Sequence, residues 1–122
     1  MPLMHEDVTE GIIGAAFELY RILGYGFLGK VYQRAMQVGL QLRGFKAPIE
    51  EEVRVIFKNI EVGFYKSDIF VNDCVVVELK AAKTYNSEDE AQLLNELKAT
   101  GINVGLLINF GRTKVEFKRF VF

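Results

Sequence analysis

The run Val75-Val76-Val77-Glu78-Leu79-Lys80 alternates as a strand does: Val75, Val77 and Leu79 line one face, and Glu78 and Lys80, two apart, project together from the other. A charge near the centre of a sheet costs free energy unless it is paired or holds a metal. A Glu78–Lys80 ion pair at a strand end is the plain account. Asp68 favours another, because it lies near the end of the preceding strand, where aspartate is disfavoured, and the hairpin between them brings it towards Glu78. Oxygen ligands from Asp68 and Glu78, completed by water and a phosphate, suit Mg2+ or Mn2+ better than zinc. Lys80 would stand beside that ion. The parity of the hairpin decides between these accounts. A strict two-residue turn at Asn72-Asp73 pairs Val71 with Cys74 and sets Asp68 opposite Val77, on the wrong face. Shared metal binding therefore requires an odd-length loop or a β-bulge near Asp68.

Outward from this strand, Val53, Val55 and Phe57 alternate with polar neighbours, and Lys58-Asn59 turns the chain into a strand from Ile60 to Phe70. Three consecutive strands joined by short turns form an antiparallel meander. On the N-terminal side, Val8, Ile12, Ala15, Leu19 and Leu23 recur at helical spacing up to the Gly24-Tyr25-Gly26 turn. Leu28, Tyr32, Ala35 and Leu42 mark a second helix, with Gly44 just past its end. On the C-terminal side, Ser87 and Glu90 form a capping-box pattern opening a helix to about Thr100, which Gly101 stops. Strands at 103–109 and 114–121 follow. The order α-α-β-β-β-α-β-β predicts an α/β (α+β) fold, a mixed sheet with helices packed on it.

At 122 residues, half of them apolar, one compact domain over 1–122 is expected. The longest apolar runs fall far short of the roughly 20 residues needed to cross a bilayer. The start, Met-Pro-Leu-Met-His-Glu-Asp, has no secretory pattern, so the expected location is cytoplasmic, with no membrane partner. A single cysteine, Cys74, excludes an internal disulfide and any multi-thiolate zinc site; it reads as a buried apolar thiol. The single histidine, His5, leaves hydrolytic chemistry to carboxylates. The net charge of −1 gives no global attraction to nucleic acid. Arg112, Lys114, Lys118 and Arg119 form a local basic stretch, or else a solvated strand face.

Asp68, the apolar strand and Glu78-Leu79-Lys80-Ala81 together resemble the core of the PD-(D/E)xK nuclease superfamily. More specifically, the chain is similar to the small bacterial GxxExxY proteins of that superfamily. The resemblance extends through Leu23 to Leu28, Val31-Tyr32, Ala91 to Asn95, Leu97 to Gly101 and Gly105 to Gly111. It implies a restriction-endonuclease-like α-β-β-β-α-β core and a Mg2+- or Mn2+-dependent nuclease. Asp68 and Glu78 would hold the metal, Lys80 would supply positive charge, and Gln92 would stand beside the active site. A polar helix face also explains Gln92. The chain departs from the family where the naming glutamate falls on Gly29, the usual histidine on Tyr20 and a usual tyrosine on Glu96, while Gly26 and Tyr32 are kept. The loss at Gly29 supports the alternative, a catalytically silent nuclease-like domain that binds nucleic acid or a protein partner. A homodimer through the apolar-rich end Phe117 to Phe122 is a third reading, for which an ordinary core strand is the simpler account.

Overall fold

The computed structural model describes residues 3–122 and follows the expected order of elements. Helix α1 spans Glu6–Leu23 and α2 spans Gly29–Leu42; strands β1 (Ile49–Phe57), β2 (Ile60–Val71) and β3 (Val75–Lys80) follow. Helix α3 (Glu90–Thr100) then leads into β4 (Val104–Phe110) and β5 (Val115–Val121). The five strands lie in chain order, antiparallel except for β3 beside β4, which are parallel because α3 carries the chain back across the sheet.

Strands β3 and β4 sit at the centre, which explains why they read as near-continuous apolar runs. On one face, Ile69, Val77, Leu79, Leu106 and Ile108 pack against Ile12, Ala16, Tyr32 and Met36 of α1 and α2. On the other, Val76 and Leu107 meet Leu93 and Leu97 of α3. Glu78, between Val76 and Lys80, therefore belongs to the α3 face, as the alternation requires.

The turns carry most of the local specification. Lys58 and Asn59 both take positive φ, 51° and 68°, in a two-residue hairpin loop closing the Phe57–Ile60 pair. Asn72 and Asp73 do likewise, but the first ladder pair beyond them is Val71–Val75, so Cys74 is an extra residue and the loop has three. Helix α3 departs from expectation at its start. A short 3-10 turn, Ser87–Asp89, precedes it, capped by Asn86, whose Oδ1 accepts the Glu88 N–H at 2.9 Å, and α3 itself begins after Asp89 without a side-chain cap. Ser87 thus does not open a capping box. At the other end Gly101, at φ 76°, donates to the Leu97 carbonyl as predicted.

Cys74 is half-buried, and burial, with Asp7 and Asp73 nearby, pushes its thiol pKa up. Two of the basic residues near the C-terminus are engaged within the chain: Lys118 pairs with Glu90 at 3.4 Å and Arg119 donates to the Met4 carbonyl. Among the described residues no helix is long and apolar enough to cross a membrane.

The seat of α3 depends on Gly105, where an added Cβ would fall 2.9 Å from Leu93 Cδ1 in a fully buried layer. Gly105→Ala is expected to destabilise the fold by about 1–3 kcal/mol through overpacking. Chemical denaturation checks this; a cost near zero would mean that α3 is loosely held.

Candidate active site at the fork between β2 and β3

The three-residue loop settles the parity. With Val71 opposite Val75 and Ile69 opposite Val77, the register leads Asp68 to Glu78. The β2–β3 ladder ends at Ile69–Val77, although β3 runs on to Lys80 and β2 begins far upstream at Ile60. The strands diverge beyond that pair, and backbone groups at the fork need other partners. The two carboxylates supply them. Asp68 Oδ2 accepts the Leu79 N–H at 2.7 Å, and Glu78 Oε1 accepts the Asp68 N–H at 3.3 Å. Each acid thus caps the opposite strand. On the α2 side, Gln33 Nε2 donates to the Asp68 carbonyl at 3.1 Å.

Asp68 opens on a cleft of about 280 Å³ lined also by Gly29, Lys30, Gln33, Glu50, Lys66, Ser67 and Leu79. A larger groove of about 650 Å³ lies between α1 and α2, but its walls are mainly aliphatic, so the smaller, more polar cleft is the candidate site. Gly29 is the first residue of α2, and a Cβ there would meet nothing within 4 Å. Lys80 is half-buried and forms no ion pair with Glu78 among the described residues, which removes the plain account of that strand end. Its register neighbour Asn109 is buried and grips Ala82 in both directions, accepting from its N–H at 2.9 Å and donating to its carbonyl at 3.0 Å. The chain is thereby fixed two residues beyond Lys80.

Glu78 is 2 % exposed. Burial first, then the charges of Asp68 and Glu96, push its carboxyl pKa up to about 10. Glu96, on α3, is fully buried, and burial also raises its pKa. Among the described residues neither Glu96 oxygen has a partner of ordinary hydrogen-bond geometry, although Glu78, Gln92 and Ser67 lie beside it and favour its charged form. The half-buried Gln92 stands beside Glu96, one helical turn before it on α3.

Two acids escaped the sequence reading. Glu96 carried a signal, since Leu93 and Leu97 mark the buried face of α3 and position 96 falls on it. Glu50 carried none: it is exposed, has φ 57°, and stands between the pairs Ile49–Ile69 and Glu51–Ser67, opposite Asp68. Tyr20 and Tyr32 have structural work instead. Tyr20 donates to the Gly111 carbonyl at 2.6 Å, and Tyr32, stacked on Phe110, donates to the Gly24 carbonyl at 2.5 Å.

Among the described residues, no three acidic, histidine or cysteine side chains converge as a ready-made metal cage. The donor set still suits magnesium-type binding, which commonly uses one or two carboxylates with water and substrate phosphate. A cation would also relieve the crowding of like charges around Glu78.

Two solved structures are similar to this chain. The crystal structure of SSO0001 matches with a TM-score of 0.58 and 14% identity over 76% of this chain, which spans about half (49%) of that one; the likeness shows the fold. An alkaline exonuclease from Laribacter hongkongensis matches with a TM-score of 0.42 and 12% identity over 99% of this chain and 72% of its own. No curated protein matches the chain by sequence. The family model of the PD-(D/E)XK nuclease superfamily matches residues 6–120, nearly the whole described chain, and the chain belongs to that superfamily.

Proposed function

We propose that this protein is a divalent-metal-dependent nuclease of the GxxExxY type, hydrolysing phosphodiester bonds in nucleic acid in the cytoplasm. The reading rests on the fork, where Asp68 and Glu78 cap one another's strands while Lys80 follows two residues on. Asp68 and Glu78 would hold Mg2+ or Mn2+. Such an ion polarises a phosphodiester and eases deprotonation of the attacking water. Lys80 stabilises charge developing on the phosphate. Gln92 steadies the acids through Glu96, and Lys30 and Lys66 at the cleft rim attract the nucleic-acid backbone. These local charges serve a chain whose net charge offers no general attraction. Cleavage of DNA or RNA that appears on adding Mg2+ or Mn2+ and disappears with a chelator is the direct test; no cleavage under any such condition counts against it.

A silent, nucleic-acid-binding domain is the second reading, favoured by Gly29 where the family glutamate would stand. Gly29→Glu separates the two. The position is open, and an acid in the first turn of α2 is itself favourable, by about 0.3–1 kcal/mol. Tighter Mn2+ binding with an unchanged cleavage rate is expected of an enzyme that already works without that ligand. Cleavage appearing only in the variant identifies a disabled scaffold.

Lys80→Ala is expected to lower the cleavage rate on the order of a hundredfold, as for loss of a preorganised electrostatic group. Its melting temperature should change little, because no ion pair is lost. Parallel losses of stability and rate would make Lys80 structural.

A further inference from the structure

Glu96 is a fully buried acid whose carboxyl oxygens have no hydrogen-bond partner among the described residues. Leu93 and Leu97 fix its helix face against the sheet, and the residue has no exposure to water; Glu78 and Ser67 lie beside it. Among the described residues the nearby Ser67 Oγ is also without a partner, on a residue 1 % exposed. Buried polar groups of this kind call for a specific explanation, such as a catalytic role or an ion. A helix-packing role would be better filled by an apolar side chain of similar size.

We propose that Glu96, together with Ser67, is part of the divalent-cation site, holding from the α3 side the ion that Asp68 and Glu78 recruit at the fork. The inference rests on the metal-dependent reading above and adds a carboxylate that motif spacing does not assign. Among the described residues, the groups beside Glu96 are Glu78, Gln92 and Ser67, and none makes an ordinary hydrogen bond to its oxygens. A divalent cation would partner them with a concentrated positive charge. The Ser67 hydroxyl supplies a neutral oxygen of the kind that Mg2+ and Mn2+ accept. Gly29 leaves the first turn of α2 without a carboxylate at the cleft, whereas Glu96 is a buried carboxylate of α3, on the other face of the sheet.

The test is calorimetric titration of the intact chain with Mn2+ at fixed pH, together with melting temperatures in chelator, for wild type, Glu96→Gln and Asp68→Asn. Glu96→Gln is expected to weaken Mn2+ binding about tenfold or more. The same substitution should raise the metal-free melting temperature, since it removes a buried acid. Unchanged affinity in Glu96→Gln, with binding lost in Asp68→Asn, overturns this inference and leaves the metal-dependent reading standing. Absence of Mn2+ binding in wild type overturns both. If Glu96→Gln does not fold, Ser67→Ala reads the same pocket: weaker binding supports the inference and unchanged binding overturns it.

Discussion

Asp68→Asn is expected to cut metal-dependent cleavage on the order of a hundredfold or more, the scale on which a preorganised charged group contributes to catalysis. The fold should survive. The asparagine carbonyl can still accept the Leu79 N–H that Asp68 Oδ2 now accepts at 2.7 Å, so only the negative charge is lost. Asp68→Ala removes that acceptor as well. It leaves a backbone N–H unsatisfied at the fork, at a cost of about 1–3 kcal/mol. Comparing the two by thermal melting and by cleavage rate separates the capping role from the ionic one. Full activity in Asp68→Asn would show that Asp68 serves only as a cap.

The second large effect concerns pH. Glu78 carries its proton in the metal-free fold up to about pH 10, whereas its ordinary value is 4.5. Between those limits the folded chain binds more protons at this position than the unfolded chain does. Its contribution to stability is therefore fully present below about 4.5 and is lost as pH rises towards about 10. The slope from one such group is at most about 1.4 kcal/mol per pH unit, and sharing the proton with Glu96 reduces it. Glu78→Gln should flatten this decline and raise the metal-free melting temperature at alkaline pH. Mn2+ affinity in wild type should move the other way, rising with pH, because the ion competes with the proton. Melting in chelator and Mn2+ titration across the range check both signs. A wild-type melting curve as independent of pH as that of Glu78→Gln would show that Glu78 is ionised in the metal-free fold.

Much of this architecture is legible in the chain because each element obeys one period. The alternation Val75, Val77, Leu79 against Glu78 and Lys80 assigns both faces of β3 before any partner is known. The parity argument at Asn72-Asp73 also holds, since an odd loop was the condition for Asp68 to meet Glu78 and Cys74 supplies the odd residue. The start of α3 was not legible, because Asn86 and Ser87 are both good caps and the chain uses Asn86 to cap a 3-10 turn that precedes the helix. Glu50 was hidden for a different reason. Its place beside Asp68 follows from a positive φ within β1, and a non-glycine residue gives no warning of that conformation. Glu96 sat on a readable helix face, but its meaning depends on the depth at which α3 packs over Glu78.

Isothermal titration of the intact chain with Mn2+, with and without a nucleic-acid duplex, tests the central claim that the Asp68–Glu78 fork is a divalent-metal site. Saturable binding in wild type that is lost in Asp68→Asn, with the variant still folded, is the predicted result. No saturable binding to wild type in either condition, or equal binding by Asp68→Asn, would contradict it.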